Sequence, residues 1–395
     1  MTAFKLNRRK WLRATSVLAT GMAVAPAGTL AANAYTHKTS ETKLDFKTWE
    51  WETRKPFKID PSKIKARLLA NENPYGPSDK TRLAIMESVS SGNRYGHMDA
   101  AKLRKMIAEK EGVTEESILL GPGSTDILEK VAITHFIEGG NIVAADPAYM
   151  ALIKTAVAFK ASWKAVPLTD TWAHDLTAME AAIDNDTQLV YICNPNNPTG
   201  SLTDGQALWD FCNRVADKVP VFVDEAYLEF MDPATAKSMV GLVNKGKNVI
   251  IARTFSKIHG MAGLRVGYGV ALPETLEMIT SMVRSNMGMS VTSLRGAMAS
   301  FEDTAFQQMS RRLNTECREY TIDALKQLGF DPVSSATSFV LFPIAMEGDT
   351  FLEKMYGHGL GVRSFQIMDK PHCRVSIGTM DEMKLFIEGI KKVLV

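Results

Sequence analysis

The segment "RTFSKIHGMAGLRVGYG", residues 253–269, contains a single lysine, Lys257. It follows the hydroxyls of Thr254 and Ser256 and precedes Arg265 by eight residues. A lysine in a loop is ordinarily solvated. A lysine framed by two hydroxyls and a guanidinium can do more: its amine can condense with an aldehyde to form a Schiff base. Meanwhile the hydroxyls and the planar arginine fork can hold an anion such as a phosphate.

Imine chemistry of this kind needs further groups at defined places. "VFVDEAY" supplies Asp224 at the end of an apolar run, where an unpaired buried carboxylate is unfavourable unless it faces a cation such as a protonated ring nitrogen. Alone, Asp224 would serve equally well as a helix N-cap. Tyr227 follows three residues on and can offer its hydroxyl to a ring oxygen, as can the amide of Asn197 in the turn "CNPNNPTG". "GPGSTDILEKVA" combines close-approach glycines with Ser124 and Thr125 at the start of a helical pattern, a suitable phosphate seat. Tyr149 in "DPAYM" can cover an aromatic ring. A lysine imine, an acid for a pyridinium nitrogen, a ring cover and a phosphate cup together match the requirements of pyridoxal 5'-phosphate (PLP).

The motifs "ANENPYGP", "RYG", "GPGSTD", "DPAY", "NPNNPTG", "VDEAY", "SKIHGMAGLRVGY" and "CRVSIGT" occur in that order from about residue 66 to the C-terminus. In this the chain resembles the class I/II aminotransferases of PLP fold type I, most closely their histidinol-phosphate aminotransferase subgroup. The resemblance implies a homodimer with active sites at the subunit interface, in which Tyr95 reaches the partner's cofactor phosphate. It implies that Arg374 receives the substrate carboxylate, that Arg363 is a second substrate-side arginine, and that Asn73 and Tyr75 lie near the substrate. The implied reaction is a ping-pong transfer of an amino group between an amino acid and a 2-oxo acid, with Lys257 as Schiff-base partner and proton carrier. A lyase or racemase would use the same carbanion, and the sequence leaves the substrate-side residues that separate them open. A non-catalytic amine-binding protein would have no use for Lys257 together with Asp224 and Tyr227. No strand-like run is followed by G-x-G-x-x-G, which argues against a nicotinamide dehydrogenase. Two positions depart from the subgroup's pattern: Gly96 follows the "RY" tyrosine, where proline is common, and Thr125 and Asp126 follow the phosphate-loop serine, where an acidic pair is common.

Elements that could bring these residues together are legible as short apolar runs: "NIVAAD", "QLVYIC", "VPVFVD", "NVIIART" and "LRVGYGV", separated by helical patterns. Such runs predict an α/β fold with a mostly parallel sheet covered by helices, its ligand beyond the strand carboxyl ends. The expected organisation is a large PLP-binding domain over 78–290, an arm and part of a small domain over 35–77, and a small α+β domain over 291–395 with strands near "SFVLFP", "GVRSF" and "CRVSIG".

The 395 residues carry a formal charge of +2, but the first 34 hold five basic residues and no acid, leaving 41 basic against 44 acidic elsewhere. That balance predicts no general affinity for nucleic acid or anionic membranes. The basic prefix, with Arg8 and Arg9 before Trp11 and Leu12, an apolar stretch, and Ala32-Asn33-Ala34, reads as a twin-arginine-like export signal. The expected location is periplasmic or secreted, or cytoplasmic if the prefix is not used. The stretch is short for a membrane anchor. Export and the two departures point to an amino acid, rather than histidinol phosphate, as substrate. Cys193, Cys212, Cys317 and Cys373 lack metal-like spacing and read as buried small apolar residues; no metal is expected.

Overall fold

The computed structural model describes residues 61–283 and 288–393, all within one unit, Phe46–Val395. The export prefix and most of the expected arm lie outside the described residues.

The strands in chain order are β1 (Ala66–Arg67), β2 (Ile118–Gly121), β3 (Asn141–Asp146), β4 (Ser162–Pro167), β5 (Thr187–Cys193), β6 (Val221–Asp224), β7 (Val249–Thr254), β8 (Gly267–Val270), β9 (Phe339–Pro343), β10 (Leu360–Gly361), β11 (Arg363–Ile367) and β12 (Lys370–Ser376). Seven of them form one sheet in the order β2-β8-β7-β6-β5-β3-β4. Within it β3, β4, β5, β6 and β7 pair in parallel, while β8 runs antiparallel to both β7 and β2. The inner parallel strands β3, β5, β6 and β7 are largely apolar because both faces are covered, yet their residues still alternate between two cores. Val190, Ile192, Val221 and Val223 enter one; Leu189, Tyr191, Phe222 and Ile250 enter the other.

Helices close each face. Gly205–Val215 starts on the Asp204 carboxylate, which accepts from the Gln206 and Ala207 N–H groups, and buries Leu208, Phe211, Cys212 and Val215 at helical spacing. Ser124–Phe136 lies on the opposite face, with Ile127, Leu128, Val131 and Phe136 in the second core. Each such side chain contributes about 1.5–3 kcal/mol by leaving water. Val291–Glu302 joins the first core through Leu294, Ala297 and Phe301.

A second, three-stranded sheet, β11-β12-β9, is antiparallel and shares a separate core with the helices Thr304–Gln327, Gly348–Gly357 and Met380–Val393. The chain enters through β1, which pairs with β10, and then runs along β12, where the Ser376 N–H donates to the Leu68 carbonyl at 2.9 Å. This crossing sets residues 68–72 between the two sheets. All four cysteines are buried and unpaired. Among the described residues no helix is long and apolar enough to cross a membrane, and no group of side chains could hold a metal ion.

Candidate active site

Register brings the polar strand ends to one level. Cys193 pairs with Asp224 and Asp224 with Ala252, so the turn after β5, the end of β6 and the residues after β7 leave the sheet side by side. Above them is a cavity of about 340 Å3, within the usual range for small-ligand sites.

Lys257 and Asp224 both line this cavity. The Lys257 Nζ donates to the backbone carbonyls of Asn71 at 3.2 Å and Ala70 at 3.5 Å, and lies 5.4 Å from the Tyr227 ring centre. Burial, reinforced by the Arg374 charge, lowers its pKa to about 8. Asp224 is 2 % exposed; its Oδ1 accepts from the Ala226 N–H at 3.1 Å. Burial raises its pKa to about 6, against the opposing pull of that hydrogen bond and of Lys257. Among the described residues no side chain forms an ion pair with either group. The carboxylate is thus poised for a cation that the cavity itself would receive.

Tyr227 is buried behind the same wall, where desolvation raises its pKa. Its hydroxyl oxygen accepts from the Asn71 Nδ2 at 3.0 Å and from the Asn197 Nδ2 at 3.5 Å. Asn197 Oδ1 accepts in turn from Arg374 at 2.6 Å. Arg374, 4 % exposed, lies over the rings of Phe339 and Phe365, and its Nε is buried without an acceptor. Burial lowers its pKa to about 10, and no carboxylate among the described residues pairs with it. An unpaired buried guanidinium is a receptor for an anion. Arg363, on β11, lines the cavity beside it.

The other end of the cavity is built for a phosphate. Ser124 and Thr125 open the helix Ser124–Phe136, whose first turn has no side-chain cap and so presents free N–H groups. Arg265 reaches Ser256 Oγ at 3.3 Å and the Ala262 and Pro122 carbonyls at 2.9 and 3.3 Å. It is held at φ +51°, unfavourable by about 1–2 kcal/mol for a residue with a Cβ. Gly123, at φ +91°, lies so close that a Cβ there would run into the Arg265 guanidinium. Thr254 and Ser256 complete the rim. Tyr149 forms part of the wall, its pKa raised by burial.

Three expected residues lie elsewhere. Asn73 donates to the Ile258 carbonyl at 2.8 Å and to Ser310 Oγ at 3.1 Å, clamping the loop after Lys257 from outside, and it does not line the cavity. Tyr75 packs beside Cys317, with its pKa pushed up to about 12, chiefly by burial. Tyr95 is 82 % exposed beside the His97 ring, away from this chain's own cavity. The residues of that N-terminal motif that do reach the cavity are Ala70, Asn71 and Glu72. Asn71 takes φ +54°, a conformation asparagine tolerates better than most residues; its type at the start of the motif was the available signal.

These groups suit pyridoxal phosphate: an amine for its aldehyde, an uncompensated acid for its nitrogen and a glycine-floored cradle for its phosphate. The aminotransferase class I and II family profile matches residues 63–390. The chain is 34% identical over 344 residues to histidinol-phosphate aminotransferase 2 of Pseudomonas fluorescens, covering 87% of this chain and 92% of that protein. It is 35% identical over 330 residues to the histidinol-phosphate aminotransferase of Moorella thermoacetica, covering 83% and 85%. The histidinol-phosphate aminotransferase of Sinorhizobium meliloti, solved in complex with pyridoxal-5'-phosphate, superposes with a TM-score of 0.78 at 26% identity, covering 84% of this chain and 91% of that one. Site chemistry, fold and sequence therefore agree that this chain belongs to the class I and II aminotransferases and is a pyridoxal-phosphate-dependent enzyme of fold type I.

Proposed function

We propose that the enzyme takes its amino group from an amino acid whose α-carboxylate lies on Arg374 and passes it to a 2-oxo acid bound the same way. The observation that carries this reading is the buried Arg374 guanidinium, without a carboxylate partner, in the same cavity as Lys257 and Asp224. Bound PLP supplies the aldehyde that condenses with amines and the electron sink that acidifies the substrate Cα–H. The protein supplies the rest. Asp224 would hold a proton on the ring nitrogen. Tyr227 and Asn197 would hydrogen-bond the ring oxygen, Tyr149 would cover the ring, and Ser124, Thr125, Thr254, Ser256 and Arg265 would hold the phosphate. Lys257, with a pKa near 8, is unprotonated in enough molecules at neutral pH to take the Cα proton and return it as general acid and base.

The names of the relatives favour a second donor, histidinol phosphate, whose phosphate Arg374 or Arg363 could take instead. A panel of amino acids and histidinol phosphate, each with 2-oxoglutarate, separates the two. Turnover of amino acids with little or none of histidinol phosphate is expected; the reverse preference would overturn the choice of donor, and turnover by Lys257→Ala would overturn the mechanism.

Two further features belong to the same reading. The enzyme is a homodimer in which Tyr95 completes the partner's phosphate site, an assignment supported by its exposure away from its own cavity. It is exported folded and cofactor-loaded by the twin-arginine prefix; undiminished export after replacing Arg8 and Arg9 by lysine would count against this.

A further inference from the structure

We infer that Asn71 is a positioning residue that compels Tyr227 to act as a hydrogen donor into the cavity; this rests on the proposed placing of Tyr227 against the cofactor ring. Asn71 is 2 % exposed and bonded on every polar side. Its backbone N–H donates to Ser376 Oγ at 2.8 Å. The Ser376 hydroxyl donates its own hydrogen back to Asn71 Oδ1 at 2.9 Å. In that closed pair the hydroxyl takes the Asn71 N–H on one lone pair and gives its own hydrogen to Oδ1, so the amide oxygen faces Ser376. The Nδ2 end is therefore turned to the Tyr227 oxygen, 3.0 Å away.

Asn197 Nδ2 approaches the same oxygen at 3.5 Å, with its own Oδ1 fixed by Arg374. A phenol oxygen offers two lone pairs and one hydrogen. With two N–H groups directed at its acceptor side, Tyr227 can only donate its hydrogen, and the open direction is the cavity that it lines. The backbone of Asn71 acts at the same point, since its carbonyl accepts from Lys257 Nζ at 3.2 Å. Ser376 stands on β12 two residues beyond Arg374. One asparagine thus ties the strand of the carboxylate receptor to the tyrosine and the lysine.

The test is a pH titration of the visible absorbance of the cofactor-loaded enzyme, run beside kcat and KM. Asn71→Gly keeps the left-handed backbone without strain and removes the amide. Asn71→Asp replaces the donor by an acceptor that can draw the Tyr227 hydrogen away. Loss of donation to the ring oxygen in Asn71→Asp is expected to raise the absorbance midpoint by about one pH unit and lower kcat at least tenfold with a smaller change in KM. Asn71→Gly should shift the midpoint less, and Ser376→Ala should shift it in the same direction. A Tyr227→Phe control locates any failure. If Tyr227→Phe moves the midpoint and Asn71→Asp does not, the inference about Asn71 is wrong and the site reading stands. If Tyr227→Phe leaves the midpoint unchanged, the placing of Tyr227 falls, and this inference with it.

Discussion

At the scale of single residues, the site is a collection of groups kept in unfavourable states until a ligand relieves them. Asp224 shows this most clearly. Burial raises its pKa from 3.8 to about 6, so between those values the folded protein binds more protons than the unfolded chain does. Stability of the cofactor-free protein therefore falls as pH rises from about 4 to about 6, and above that it carries the full penalty of an ionised buried carboxylate, about 3 kcal/mol for a shift of about two units. An asparagine in its place would not ionise and would keep an oxygen for the Ala226 N–H. Cofactor-free Asp224→Asn is thus expected to be more stable than wild type at pH 7, by about 2–3 kcal/mol, in denaturant unfolding. It should lose the pH 4–6 slope and nearly all turnover. Equal stability of the two proteins at pH 7 would show that the carboxylate is compensated within the chain.

At the scale of elements, the phosphate cradle depends on a backbone approach that only glycine permits. Gly123 is at φ +91° and faces the Arg265 guanidinium, and Gly267 on β8 faces the Ser124 N–H. Gly123→Ala is expected to weaken PLP affinity at least tenfold, equivalent to about 1.4 kcal/mol, with a smaller loss of folding stability; unchanged affinity in a fluorescence titration would show that the cradle tolerates a Cβ. Most of the elements were legible because parallel strands buried on both faces are written as apolar runs, as in "NIVAAD" and "QLVYIC", each followed at once by its polar residues. Two strands of the seven-stranded sheet were not. β2 is only four residues long and merges into the phosphate loop, and β4 is a half-exposed edge strand, "SWKAVP", without a continuous apolar run. Residues on strand ends and in the loops just after them, such as Asp224, Asn197 and Lys257, converge as expected because sheet register carries them together. The "ANENPYG" segment was harder to place, because which asparagine enters the cavity depends on the left-handed turn at Asn71 and not on spacing. Asn73 consequently holds the loop from outside while Asn71 faces Tyr227.

At the scale of the whole molecule, the surface carries a feature that one chain does not use. Leu83, Met86, Val89, Tyr95 and Met98 are large apolar residues, each more than half exposed, all on or just beyond the helix Asp79–Ser88 and at the start of His97–Glu111. A concentration of this kind is characteristic of an interaction surface, and a two-fold axis would let one such surface bury its own copy. The proposed dimer also gives Tyr95 a phosphate to reach. Replacing Met86 and Val89 together by glutamate would place like charges opposite one another across that axis. The double variant is expected to sediment at half the mass of the wild type. Its PLP affinity should fall in parallel, because each site would lose the partner's tyrosine, while thermal unfolding of the cofactor-free monomer should change little, since both positions are exposed in the single chain. Sedimentation of the wild type as a monomer at micromolar concentration with PLP bound would remove both the dimer and the role of Tyr95.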